Sequence, residues 1–256
     1  PVYRLGSAAG QLLRAHSFYF HGQLSQVNAP VNKALAALET VREQDPENAE
    51  ILRLLGRSHM SLSMTLSWDG KQKEGEDEMA KAFAIYEPLV AKYPQDTVIR
   101  QGLLDTYLQS SQLFEDSDPT RAFEILLKAR EITERSIAAD AANVQARQSL
   151  AKIYSRLGVI ALSLGKRDEA VAFLQKSLLA FSELEKFDSS HRTYKHDIGR
   201  SLTFLGQTRQ QQRAFYDALA FYARAIATFA ALSRAEPGTN MDGRKLAALL
   251  HYHGGV

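Results

Sequence analysis

The fold of this chain is decided by residues 140–158, which read DAANVQARQSLAKIYSRLG. A similar stretch, DSSHRTYKHDIGRSLTFLG, occupies residues 188–206, 48 positions further on. Each stretch opens with a turn that begins with Asp, continues with apolar residues at helical spacing, and ends on Leu-Gly. Such an internal period is typical of repeat proteins, so the chain is best analysed as an array of similar units.

The opening turn of this stretch recurs every 47 or 48 residues along the chain. Proline after a helical run, followed by Asn or Asp, ends one helix and caps the next. The same reasoning makes Asp118-Pro119 a predicted helix start, since an acceptor side chain precedes a residue whose φ is already fixed. The recurring turns are Asp45-Pro46-Glu47-Asn48, Tyr93-Pro94-Gln95-Asp96, Asp140-Ala141-Ala142-Asn143, Asp188-Ser189-Ser190-His191 and Glu236-Pro237.

Small and large residues repeat in the same register between these turns. A small residue lets a neighbouring helix approach closely, and a large residue one turn earlier fills the adjoining space. The small residues are Ala34, Ala82, Ala129, Ser177 and Ala225, and the larger ones that lie three positions earlier are Val31, Met79, Leu126, Leu174 and Tyr222. The pattern predicts helical hairpins that pack side by side.

We therefore expect an all-α chain that forms one array of about five helical hairpins followed by a final helix. The predicted units cover approximately residues 1–46, 47–94, 95–141, 142–189 and 190–238, and the final helix covers 239–252. The chain begins with Pro1, has no leader, and stops soon after the start of that last helix. These features predict a segment of a longer protein.

The pattern resembles the tetratricopeptide repeat (TPR), whose two antiparallel helices carry small and aromatic residues at fixed places. The resemblance covers essentially the whole chain and implies a superhelical solenoid. Each unit is about 14 residues longer than the family's unit of about 34, so we expect longer helices. The matching residues are Leu150, Ala151, Tyr154, Gly158, Ala170, Leu174 and Ser177 in the fourth unit, and Ile198, Gly199, Leu202, Gly206, Ala218, Tyr222 and Ala225 in the fifth.

A narrower resemblance concerns Arg147 to Gly158 and Lys195 to Gly206. These two stretches are similar to the TPR segments that follow the kinase domain in many bacterial Ser/Thr protein kinases. No kinase motif is present, so a catalytic domain would lie outside this chain. Under this alternative the segment is regulatory or sensory, and it is cytoplasmic, or extracytoplasmic if the kinase is anchored in a membrane.

Composition argues against several classes of function. The 256 residues include 31 Lys and Arg against 29 Asp and Glu and no Cys, so the net charge is only +2. This balance disfavours nucleic-acid binding, and no stretch is apolar enough for direct membrane insertion. Without Cys or a His-Glu-x-x-His motif we expect no metal site, no cofactor and no catalytic residues. The chain is predicted not to be an enzyme.

Solenoids use their extended concave face for binding, and the TPR resemblance implies that the first helix of each hairpin lines this groove. The set includes five fixed cations and one anion, so it favours an acidic or carboxylate-bearing peptide or partner domain. The implied groove residues are Arg53, Arg57, Gln101, Asp105, Gln148, Lys152, Arg156, His196, Arg200 and Thr203. The alternatives are a solvated face that only keeps the array soluble, binding on the convex face, and self-association through the terminal hairpins.

Overall fold

The computed structural model describes residues 2–235 apart from Gly22. These residues form ten α-helices and a short 3-10 turn at Leu24–Gln26, and they contain no strand, which confirms the all-α class. The predicted final helix at 239–252 lies outside the described residues. The helices are α1 (Val2–Phe20), α2 (Asn28–Arg42), α3 (Ala49–Trp68), α4 (Gln72–Lys92), α5 (Thr97–Phe114), α6 (Pro119–Ala139), α7 (Val144–Ser163), α8 (Arg167–Phe187), α9 (Arg192–Gln211) and α10 (Phe215–Ala235).

The chain divides into two compact units, Pro1–Ser117 and Asp118–Val256. The first contains α1 to α5 and the second contains α6 to α10, so the division falls inside the predicted repeat 95–141. Within each unit every helix packs against the next one along the chain. In addition, α3 packs against α5 and α7 packs against α9. The boundaries of the five predicted repeats remain a prediction.

Side-chain caps lie at the N-termini of α3, α5 and α7, each the first helix of a hairpin, as the turn residues predict. The Asn48 side chain accepts hydrogen bonds from the first turn of α3, and Asp96 does the same for α5. Asn143 caps α7, and Asp118 accepts from the Arg121 amide at the start of α6. Each cap satisfies backbone donors that have no partner inside the helix. At α9 the corresponding residue is a histidine that makes no cap bond.

Glycines on the first helices receive large side chains from the second helices. A Cβ at Gly158 of α7 would lie 2.5 Å from Leu174 Cγ and 3.2 Å from the Leu174 backbone nitrogen in α8. A Cβ at Gly206 of α9 would lie 2.5 Å from the Tyr222 ring in α10. Real Cβ atoms do not approach other atoms this closely, so the helix spacing within each pair depends on glycine at these positions.

In the first unit one aromatic ring makes this contact with two helices. Tyr86 of α4 packs against Gly56 of α3 and Gly102 of α5. Its hydroxyl donates to the Arg53 carbonyl oxygen at 2.9 Å. Burial, as the main cause, raises the pKa of Tyr86 to about 12. The ring therefore joins consecutive hairpins through packing, and its hydrogen bond holds it to α3 within its own hairpin.

Phenol–carboxylate hydrogen bonds also link second helices to the first helices that follow them. Tyr107 of α5 donates to Glu87 of α4 at 3.1 Å, and Tyr154 of α7 donates to Glu134 of α6 at 3.0 Å. Burial and then the neighbouring carboxylate raise the pKa of each phenol to about 12. Each bond spans 20 positions of sequence, and the two tyrosines are themselves 47 positions apart.

Three turns between paired helices share one geometry. Gly70, Gly165 and Arg213 have φ values of +77°, +73° and +61°. In each turn the next amide bonds back across five residues to the helix, as Lys166 N–H does to the Ala161 carbonyl. This is the Schellman arrangement, in which glycine normally holds the left-handed position. Arg213 is thus the one non-glycine residue with positive φ among the described residues.

Part of the apolar surface of α10 is buried in the core of the second unit. Contrary to the expectation from the sequence, Phe215–Arg234 is long and apolar enough to cross a membrane by length and composition alone, and it is the one such stretch among the described residues. Its buried residues follow helical spacing, and they pack with residues of α8 and α9. They are Ala218, Tyr222, Ala225, Phe229 and Leu232.

We expect Gly158→Ala to lower the free energy of unfolding by about 2 kcal/mol, because the new methyl group is forced against the Leu174 backbone. The matched control is Gly10→Ala in α1, where a Cβ would meet nothing within 4 Å. That variant should gain up to about 1 kcal/mol from alanine's higher helix propensity. Denaturant unfolding measures both. Equal stabilities would show that the close helix contact is not required.

The turn geometry predicts opposite effects for two substitutions. Arg213→Gly should stabilise the protein by about 1 kcal/mol, because glycine adopts positive φ without a steric penalty. Gly165→Ala should destabilise it by a similar amount. A Cβ at Gly165 would meet nothing within 4 Å, so that change isolates the backbone effect. Thermal unfolding is the measurement, and a lower melting temperature for Arg213→Gly would contradict the assignment.

Candidate functional site

Four of the ten predicted groove residues lie in the first unit, on α3 and α5. Both Arg53 nitrogens that face Glu50 donate to its carboxylate, Nε at 2.8 Å and Nη2 at 2.6 Å. This bond, as the main cause, raises the pKa of Arg53. On α5 the Gln101 amide donates to Asp105 at 2.7 Å. Arg57 lies half-buried one turn beyond Arg53.

The remaining six predicted residues lie in the second unit. On α7, Gln148, Lys152 and Arg156 follow one another at intervals of four, so they share one helix face. Lys152 is exposed, whereas Gln148 and Arg156 are half-buried. This face belongs to the helix that packs against α9, which carries the other three residues.

On α9 the predicted residues are partly held by their own helix. The Thr203 hydroxyl donates to the Gly199 carbonyl oxygen at 2.9 Å, and the Arg200 guanidinium lies 5.8 Å from the centre of the Phe204 ring. His196 lies 3.7 Å from the Asp197 carboxylate. The Arg200 guanidinium thus makes a cation–π contact with Phe204, and such a contact does not use the N–H donors of the guanidinium.

The two parts of the predicted set differ in charge. In the first unit, Arg53 is neutralised by Glu50, and the single anion of the set, Asp105, lies on the adjacent helix. In the second unit the set contributes Lys152, Arg156 and Arg200 and no acidic residue. Within the predicted set, the cations that have no acidic member of the set beside them in the same unit therefore lie on α7 and α9.

Sequence reasoning missed three neighbours that modify this surface. Glu50 is three positions before Arg53, a spacing at which helix side chains meet, so its effect had a visible signal. Phe204 and Asp197 likewise lie next to Arg200 and His196 on α9. Asp197 adds one carboxylate beside the cationic face of the second unit.

A more buried ionic cluster joins α3 to α4. His59 Nδ1 lies 2.6 Å from Glu78 Oε2, and Lys81 Nζ donates to Glu78 Oε1 at 2.6 Å. The side chains of His59 and Glu78 are 11% and 14% exposed. Burial, the largest single effect, raises the pKa of Glu78, but the bonds from Lys81 and His59 outweigh it and leave the pKa below its usual value.

No group of three or more His, Asp or Glu side chains that could hold a metal ion occurs in residues 2–21 and 23–235. The His59–Glu78 pair is instead an ion pair between two helices, extended by Lys81.

Comparison with known proteins gives a fold and no closer relationship. No protein-family model and no curated protein matches the chain. Solved structures do resemble it. BtubC from P. vanneervenii has a TM-score of 0.62 at 18% identity, with 90% of this chain and 91% of that chain covered.

Two further structures extend the comparison. The pilF protein of Pseudomonas aeruginosa has a TM-score of 0.53 at 16% identity, with 96% of this chain and 90% of that chain covered. A putative kinesin light chain of Podospora anserina with nearly identical TPR-like repeats has a TM-score of 0.56 at 13% identity, with 89% and 96% covered. The predicted TPR-like fold is confirmed.

The lowered pKa of Glu78 predicts an acid-dependent loss of stability. A carboxyl group with a depressed folded-state pKa stabilises the fold above its unfolded value, and that contribution is lost as the pH falls through the folded value. Glu78→Gln should therefore flatten the decline in unfolding free energy on acidification below about pH 4.5. Glu74→Gln is the control, because that side chain is 61% exposed. Identical pH profiles for all three proteins would contradict the prediction.

Proposed function

We propose that this chain is a non-catalytic scaffold for protein–protein interaction. It binds a peptide or a partner domain on the faces of its first helices, α3 and α5 in the first unit and α7 and α9 in the second. The TPR-like fold supports this proposal, since helical repeats bind partners on extended surfaces. The observation that carries it is the exposed Lys152 on α7, together with Arg200 on the adjacent helix α9.

The preferred partner is acidic, either a peptide with Asp or Glu side chains or one that ends in a free carboxylate. Arginine presents planar donors that match a carboxylate, and clustered cations raise the local potential. The first unit contributes less to this preference because Glu50 already occupies the Arg53 guanidinium. Gln101, which occupies the position in α5 that Gln148 occupies in α7, likewise donates its amide hydrogen bond to Asp105.

The proposal includes neither chemistry nor nucleic-acid binding. Binding to nucleic acid would need a concentrated basic field, and the net charge of +2 does not favour one.

A second candidate function rests on the motif similarity of Arg147 to Gly158 and Lys195 to Gly206. In this alternative the array is the regulatory or sensory segment of a bacterial Ser/Thr protein kinase. The two functions are compatible, since a regulatory segment also acts by binding. The sequence of the complete gene product decides between them, because the alternative requires a kinase domain upstream.

We expect the Lys152→Ala/Arg200→Ala protein to bind acidic peptides at least tenfold more weakly than the unchanged chain. The physical reason is the loss of two charge-assisted contacts, each worth about 1.5–3 kcal/mol when well formed. Fluorescence anisotropy with a labelled poly-glutamate peptide, repeated from low to high salt, measures the effect. Binding by the unchanged chain should weaken as salt increases.

The control is Lys128→Ala/Arg167→Ala, which removes two exposed cations from the second helices α6 and α8. It preserves the net charge of the test variant but leaves the proposed surface intact. Equal weakening in both variants would reduce the effect to overall charge, and affinity that does not respond to salt would contradict the acidic preference.

A further inference from the structure

The turn between α9 and α10 exposes two adjacent aromatic side chains. Phe215 is 49% exposed and Tyr216 is 91% exposed. Together with Arg213, Ala214 and Asp217 they line a shallow hollow of about 310 Å³. This volume lies at the lower end of the range for binding sites, so the hollow suits one or two side chains of a partner rather than a whole small molecule.

Arg213 holds the left-handed position of this turn, where the equivalent turns have Gly70 and Gly165. An arginine in that conformation carries a steric cost that glycine avoids. Its side chain makes no hydrogen bond or ion pair with the residues that the structure describes. No hydrogen bond or ion pair of its side chain within the described residues offsets this strain. Strained backbone positions are concentrated at functional sites.

The acidic groups near Arg213 lie beside other residues. Arg209 Nη1 donates to Gln212 Oε1 at 2.9 Å, and Gln212 Nε2 donates to Asp168 Oδ1 at 2.9 Å. The Asp217 carboxylate lies 3.9 Å from Arg209 Nε. Each acidic group at this turn thus has a partner other than Arg213, so Arg213 is left as the cation available to a ligand.

We propose that this turn, defined by Arg213, Phe215 and Tyr216, is a second protein-docking surface, separate from the faces of α7 and α9. Its occupant is a peptide segment of a partner protein that presents a large apolar side chain next to a carboxylate. The apolar side chain packs in the hollow against Phe215 and Tyr216, and the carboxylate pairs with Arg213. Tyrosine and arginine are the residue types that most often dominate binding energy at protein interfaces.

A lipid surface is the competing occupant, since aromatic and basic residues also occur where helices meet membranes. The structure favours a protein. The apolar residues of α10 at helical spacing, from Ala218 to Leu232, are buried in the core of the second unit. Phe221 and Ile226 also pack, partly buried, against that core. The exposed face beyond Tyr216 carries Asp217 and Arg224 among alanines, so it lacks the broad apolar stripe of an interfacial helix.

The test is selection of a random peptide display library on the full chain, followed by affinity measurement of the enriched peptides. We expect enriched peptides to combine an acidic residue with a neighbouring aromatic or large aliphatic residue. Their affinity should fall at least tenfold for Phe215→Ala/Tyr216→Ala and for Arg213→Gly. It should not change for Arg167→Ala, which removes an exposed cation from the equivalent turn between α7 and α8.

The Arg213→Gly variant distinguishes loss of binding from loss of folding. It should unfold at a higher temperature than the unchanged chain and yet bind the enriched peptides more weakly. The proposal is overturned if no peptide is enriched, if the enriched peptides bind the turn variants as well as the unchanged chain, or if only the Lys152/Arg200 variant loses them. It is also overturned if the chain co-sediments with phosphatidylserine-containing vesicles and Tyr216→Ala abolishes that association. The last outcome would assign the turn to a membrane surface.

Discussion

The structure depends on the close contact between a glycine of a first helix and a large side chain of the second helix beside it. Leu174 against Gly158 and Tyr222 against Gly206 are the clearest cases. The absence of a Cβ lets the helix axes approach, and the large side chain fills the space that remains. Because the glycine marks the side of the helix that faces its partner, the contact also fixes the rotation of each first helix about its own axis.

That rotation decides which residues of the first helices face outward. On α7 the buried side includes Ala151 and Leu157, which leaves Lys152 exposed. A helix turned differently would bury this charge at a cost of several kcal/mol. The proposed binding surface of the second unit is therefore a consequence of core packing, and the polar side chains on it had no part in forming the fold.

Pairing between neighbours then determines which of the outward charges can act on a ligand. Lys152 of α7 is exposed, whereas Arg53 of α3 shares two hydrogen bonds with Glu50. A partner would have to displace Glu50 before it could bind Arg53, and this lowers the net gain. Arg213 lies just after the C-terminal end of α9. Its side chain makes no ion pair with the described residues, but its backbone has a strained positive φ. The two proposed surfaces thus differ in their effect on stability. The face of α7 and α9 uses residues of regular helices, whereas the turn at Arg213 includes a strained backbone position that lowers the stability of the fold.

The helices, the residues at which several of them start and the TPR-like fold could all be predicted from local sequence. Asn48, Asp96, Asn143 and Asp118 act on amides within three positions, so local sequence is sufficient to predict these caps. The division of the chain between α5 and α6, the burial of Glu78 beside His59, and the positive φ of Arg213 were decided only by tertiary structure. The physical reason is that each depends on atoms brought together from distant positions or on a turn closed by two packed helices. Such contacts have no periodic pattern in the sequence. The letter for an arginine or a glutamate does not show whether its side chain is paired or its backbone is strained.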